Sequence, residues 1–196
     1  MTELTREAMA QRDALSRMAE LEEENRQLTS RAIHAEQRLG RVAQSYAAVT
    51  ELHGAETGEE VMTVLKEIVA NLIGCEEMGL YDVWVPGPIL SYADGIALDA
   101  QQFRRLPSDH PLVAEALISG DLQLPDPAHG TPGINGLPVT AVLPLRQDGE
   151  VAGLIVLFRL VRQKPVLDGD DLELLRVVAR HAARALTAAR RQEGDL

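Results

Sequence analysis

The residues best suited to chemistry in this chain are one cysteine and five histidines. Cys75 is the single thiol, so a redox cycle needing a nucleophilic and a resolving cysteine lacks its second member. The histidines are His34, His53, His110, His129 and His181, and none stands at metal-ligand spacing from another His or Cys. No metal or cofactor is expected. Ser108, Asp109 and His110 bring three triad residue types together, but a triad is set by geometry in space, not by adjacency along the chain. Arg176, Arg180 and Arg184 recur every four residues and so share one face of a helix. That stripe reads either as a solvated face complementing a helix C-terminus or as a docking surface for an acidic partner.

The elements that must position these residues begin with a heptad seam. One core series is Met18, Asn25, Ala32, Leu39 and Tyr46; the other is Leu21, Leu28, Ala35, Val42 and Val49. This 3–4 spacing marks a helix that pairs with another helix. A lone Asn at a core position pairs with its twin, so Asn25 favours two parallel, in-register strands. Arg17 then faces Glu22 of the partner chain, and Arg31 faces Glu36. A parallel homodimer is expected. A heteromeric coiled coil, an antiparallel bundle and a solvated single helix remain as alternatives, because two of the core positions are Ala.

At 196 residues the chain holds one ordinary domain plus an appendage. Its net charge of −11 is uneven: residues 46–158 carry only Lys66, Arg104, Arg105 and Arg146 against sixteen acids. That acidic body argues against nucleic-acid binding, which needs clustered Lys and Arg. No apolar run reaches membrane-spanning length, and the N-terminus is a polar helix rather than a signal peptide, so membrane insertion is not expected. With a single cysteine, a reducing, cytoplasmic location is the default.

The first helix is expected from Thr2 to His53. Thr57-Gly58-Glu59-Glu60 is a capping-box pattern opening a second helix, which Gly74 ends. Strands are predicted over 76–85 and 89–94, joined at Pro86-Gly87-Pro88. Ser108 is the expected cap of a short helix carrying Leu112, Val113, Ala116 and Leu117. After a loop-rich stretch to Pro138, residues 139–146 and 151–161 form a hairpin turning at Asp148-Gly149. The second arm is almost wholly apolar, which predicts a central strand, with a bulge or close approach at Gly153. A last helix opens after Asp168-Gly169-Asp170-Asp171, with apolar positions Leu172, Leu175, Ala179, Ala182 and Leu186 at 3–4 spacing.

Together these residues resemble a GAF domain, a module of cyclic-nucleotide phosphodiesterases, bacterial sensor kinases and transcriptional activators. Thr57 to Cys75 resembles the family's opening helix. Ala141 to Leu145, Asp148-Gly149 and Gly153 to Leu157 resemble its hairpin, and Asp168 to Leu186 its closing helix. The resemblance implies an α+β fold with a PAS-like antiparallel sheet, divided as a coiled-coil helix over 1–50, the domain over 51–191 and a tail over 192–196. It also implies a ligand pocket closed by the region from Tyr92 to Pro138, where Tyr81, Tyr92, Phe103, His110 and His129 are the candidate lining. Dimerisation through first and last helices would put Leu172, Leu175, Ala179, Ala182 and Leu186 in the dimer seam. Enzymatic relatives reduce free methionine sulfoxide, but Cys75 is alone, so no enzyme is expected. The implied function is a bacterial, dimeric, non-enzymatic signalling module acting through a partner protein, with or without a small ligand. The alternative is a ligand-free structural adaptor in a protein complex.

Overall fold

The computed structural model describes residues 2–96, 100–126, 130 and 132–194, without the side chains of 2–10, 13, 100, 101, 190 and 192–194. Helix α1 spans Thr2–Gly54. Helix α2, Gly58–Glu67, follows and continues as a π-helical turn over Ile68–Ile73. Thr57 caps α2 by accepting a bond from the Glu60 amide at 3.2 Å. The Glu60 carboxylate reaches back to the Glu56 amide at 2.8 Å, so the reciprocal bond lands one residue earlier than in a standard capping box. Gly74 ends the helical segment in the left-handed region at φ 77°, which a side chain would disfavour.

Four antiparallel strands follow, β1 (Cys75–Trp84), β2 (Gly87–Asp94), β3 (Ala141–Gln147) and β4 (Glu150–Leu160), in the order β2-β1-β4-β3. The nearly continuous apolar run of β4 has the expected consequence: it lies in the middle, paired on both sides. Asp148 and Gly149 make its turn with φ of 51° and 93°. At Gly153 a Cβ would stand 3.1 Å from the Tyr81 carbonyl, and the neighbouring register slips between Leu145 and Arg146, so both expectations for this glycine hold.

Period-two alternation sends the strands' side chains into two cores. On one face Met78, Leu80, Leu143, Ile155 and Leu157 join α2, the end of α1 and helix α5, Gly169–Gly194. On the other, Tyr81, Val142, Leu154, Val156 and Phe158 meet helices α3 (Ala100–Phe103) and α4 (Pro111–Ser119). Asp168 and Asp171 cap α5 reciprocally through each other's amides, at 2.8 and 2.9 Å, and Lys164 pairs with Asp171.

Four expectations need correction. His110, not Ser108, is the N-cap of α4, because Pro111 occupies the first helical turn and forces the preceding residue into extended backbone. Leu175, Ala179, Ala182 and Leu186 are buried against the protomer's own sheet and α2, so they are closed to a dimer seam; Leu172 is half-buried. The apolar spacing of α5 reports intramolecular packing. Tyr92 pairs with Leu80 across β1 and β2 and therefore faces the α2–α5 core, opposite to Tyr81. Finally, the chain divides into compact units Met1–Gln44 and Ser45–Leu196, and Ala48 and Leu52 already belong to the domain's core, so packing starts before residue 51.

Candidate functional site

The sheet face under α3 and α4 is where the candidate ligand residues were expected. Tyr81 and Phe103 are brought together there with Phe158, all at most 1% exposed. Phe103 and Phe158 meet edge to face, with ring centroids 5.7 Å apart, a favoured arrangement of their quadrupoles. These side chains fill the space between sheet and α4. Tyr81 lies across Gly79, where a Cβ would come within 2.8 Å of its ring. A larger residue at 79 would push the ring aside.

Two polar atoms on this face lack partners among the described residues. One is the Tyr81 hydroxyl and the other is His110 Nδ1, both buried. His110 is held through Nε2, which donates to the Pro132 carbonyl at 2.7 Å, so in the neutral ring Nδ1 is an acceptor. Burial pushes the Tyr81 hydroxyl well above the usual phenol range. The pair thus offers one donor and one acceptor in an otherwise apolar setting. His129 lies outside the described residues. Trp84 is 63% exposed and takes no part.

Cys75 is buried at the start of β1, with Sγ within 3.2 and 3.3 Å of the Glu77 and Arg159 carbonyls. Burial raises its thiol to about 11, against small lowering by those backbone contacts. A thiol in that state is a poor nucleophile near neutrality. Glu77 beside it is buried and paired with Arg159 at 2.7 Å.

On α1, Met18, Leu21, Leu28, Leu39, Val42 and Tyr46 are all more than half exposed. Asn25 is exposed, accepting from Thr29 at 3.3 Å, and Val49 is half-buried. Near its end the helix carries two stripes. Ala48 and Leu52 pack into the domain, whereas Tyr46, Val49 and His53 point roughly 100° away at 3.6 residues per turn. His53, the next member of the Asn25 series, meets His181 of α5, with Nε2 and Nδ1 2.8 Å apart. Sequence reasoning missed this contact, since 128 residues separate the two and no local signal links them.

Arg176, Arg180 and Arg184 are all exposed. The structure divides them: Arg176 and Arg180 line a cleft of about 260 Å³ together with Arg146 of β3, and Arg184 lies outside it. Among the described residues no group of three or more His, Cys, Asp or Glu side chains is placed to hold a metal ion. No described helix is long and apolar enough to cross a membrane.

The architecture is an α+β antiparallel sheet with helices on both faces, its long final helix lying on the edge strand β3. The family model for the GAF domain matches residues 57–186, and the chain belongs to that family. No curated protein matches the sequence. Among solved structures, the GAF domain of a protein named as a sensor histidine kinase from Pseudomonas syringae pv. tomato is 23% identical. It covers 82% of this chain and 94% of its own, with a TM-score of 0.58. The GAF domain of a phosphoenolpyruvate-protein phosphotransferase from Coxiella burnetii is 16% identical, covering 81% of this chain and 98% of its own, at a TM-score of 0.63. The free methionine-R-sulfoxide reductase of Neisseria meningitidis, solved with its substrate, is 16% identical over 76% of this chain and 89% of its own, at 0.59. At these identities the likeness is one of fold. The neighbours include sensor and regulatory domains of signalling proteins.

Proposed function

We propose that this protein is a non-enzymatic regulatory module that dimerises in parallel through α1 and acts through a partner protein. One observation carries this reading: α1 presents a second apolar stripe, exposed and about 100° from the stripe that packs into the domain. Isolated apolar side chains on a surface are ordinary, but a continuous exposed stripe at heptad spacing is not. A second copy of the chain is the occupant that fits, because Asn25 in its core series is satisfied by its own counterpart. Since α1 both joins the domain core and carries the seam, a change in domain packing at Ala48 and Leu52 is passed to the helix pair.

The unpartnered Tyr81 hydroxyl and His110 Nδ1 favour a small polar ligand as the input. The filled packing of Tyr81, Phe103 and Phe158 favours the second reading, a ligand-free adaptor. Catalysis through Cys75 runs against its burial and raised thiol.

Light scattering of the full chain is the test. A dimer is expected, with Asn25→Leu more stable but mixed in orientation or oligomer number, read by cross-linking of a single cysteine placed near residue 18. A monomer, or an unchanged parallel dimer in the variant, sinks the seam argument. Native mass spectrometry of gently purified protein separates the two readings: a bound small molecule supports the sensor, and an empty domain with a stable protein partner supports the adaptor.

A further inference from the structure

We infer that the cleft between α5, β3 and the segment after α4 is a binding site for a small oxyanion, a phosphate-bearing or polycarboxylate molecule. Its walls are Arg146, Arg176 and Arg180, with Gly120, Leu122, Leu143, Pro144 and Ala179, and Asp121 as the acid among its described lining. Three arginines and one acid line this cleft, so its formal charge is positive on a chain whose net charge is −11. None of the three has an ion-pair partner among the described residues; Arg146 makes one bond, from Nη2 to the Gly149 carbonyl at 3.2 Å.

The cleft is also shaped for these side chains. Arg176 and Arg180 stand one helical turn apart, about 6 Å along the axis, and project from the same face of α5. Arg146 comes from β3, an edge strand, and lies across Gly120. A Cβ on Gly120 would approach its Cδ to 2.9 Å and its Nε to 3.0 Å, and this glycine has φ 68° as the C-cap of α4. A non-glycine residue here would displace the guanidinium. The neighbouring chain is fixed by two bonds of 2.9 Å between Gln123 and Val142, so the wall opposite α5 is held in place. The apolar floor, Leu122, Leu143 and Pro144, lowers the local dielectric and strengthens each charge-assisted bond. Arginine forks match the planar oxygens of phosphate and carboxylate in pairs. A cleft of about 260 Å³ suits a compact molecule rather than a folded chain.

The site lies at the β3 edge of the sheet, between α5 and the C-cap of α4, and its existence does not depend on dimerisation. Occupancy would tie α5 to β3 by bridging Arg176 and Arg180 to Arg146.

Thermal unfolding of the full chain in pyrophosphate, inorganic phosphate and citrate, each matched in ionic strength with chloride, tests the site. A saturable rise in melting temperature is expected with at least one of the three. The rise should fall at least tenfold in apparent affinity in Arg176→Gln/Arg180→Gln, whose far-UV circular dichroism and ligand-free melting should stay unchanged. Arg162→Gln, which removes one positive charge outside the cleft, should keep it. Phosphorus NMR line broadening, reduced in the double variant, separates phosphate from carboxylate preference. If no anion acts beyond chloride, or Arg162→Gln loses the effect equally, the site does not exist. If a glutamate decapeptide binds tightly while the small anions do not, the surface docks an acidic protein and the small-molecule assignment is wrong.

Discussion

Replacing Tyr81 with Phe should make the domain more stable. The Tyr81 side chain is wholly buried, and its hydroxyl has no hydrogen-bond partner among the described residues. A hydroxyl transferred from water into such a site without a partner costs roughly 1–3 kcal/mol. Phenylalanine keeps the ring against Gly79 and the neighbouring apolar side chains and removes only that penalty, at the cost of a void smaller than a water. The net gain expected is about 1–2 kcal/mol. For a unit the size of Ser45–Leu196, that corresponds to a rise in melting temperature of roughly 2–8 °C. Calorimetry at neutral pH reads it directly. The pH dependence supplies a second, independent signature. Burial raises the phenol in the folded state, so above the unfolded value near 10.0 the unfolded chain ionises first and stability falls as pH rises. Tyr81→Phe should therefore flatten the alkaline loss of stability. A destabilised Tyr81→Phe protein would refute the reasoning, because it would mean that the hydroxyl has a partner whose bond outweighs its burial. Should the variant be stabilised and also lose a copurifying small molecule, the hydroxyl is kept for binding.

Cys75 follows the same sign with a different window. Its folded thiol lies at about 11 against 9.0 unfolded, so stability should decline between pH 9 and 11 by roughly 3 kcal/mol, and Cys75→Ala should remove that decline. Alkylation of native Cys75 by iodoacetamide at pH 7.5 should be slow and track unfolding; rapid labelling would show the thiolate to be accessible. Burial, His53, Arg184 and Arg180 lower His181, which depresses its folded value below 6.5. The stabilisation it gives is complete above that pH and lost as the pH falls through the folded value, so acidification should loosen α1 from α5. Hydrogen exchange of residues 45–54 between pH 7.5 and 5 measures this, with His181→Gln expected to abolish the difference; exchange that does not respond to pH would contradict it.

The hairpin and both ends of the second helix were legible from local residues. Asp148-Gly149 dictates a tight turn, the apolar run of β4 dictates burial on both faces, and Gly74 stops the second helix, all through constraints acting within a few residues. The family resemblance rested on those same residues. The site was far less legible. Tyr92 was grouped with Tyr81 because both are aromatic and near in sequence, yet the register slip between Leu80 and Tyr81 puts them on opposite faces. Helix α5 shows how a periodic pattern misleads: 3–4 spacing states that one face is buried, not what buries it. There the cover is the protomer's own sheet and α2, not a second copy.

By itself, the sequence determined the order and kind of the main elements and the family, because turn, cap and periodicity energies are local. Only the tertiary structure decided which stripe of α1 enters the core, that His53 meets His181, and that Arg146 joins Arg176 and Arg180 around one cleft. Each of those depends on how separate elements are rotated against one another. Packing over the whole core fixes that rotation, and no short segment encodes it.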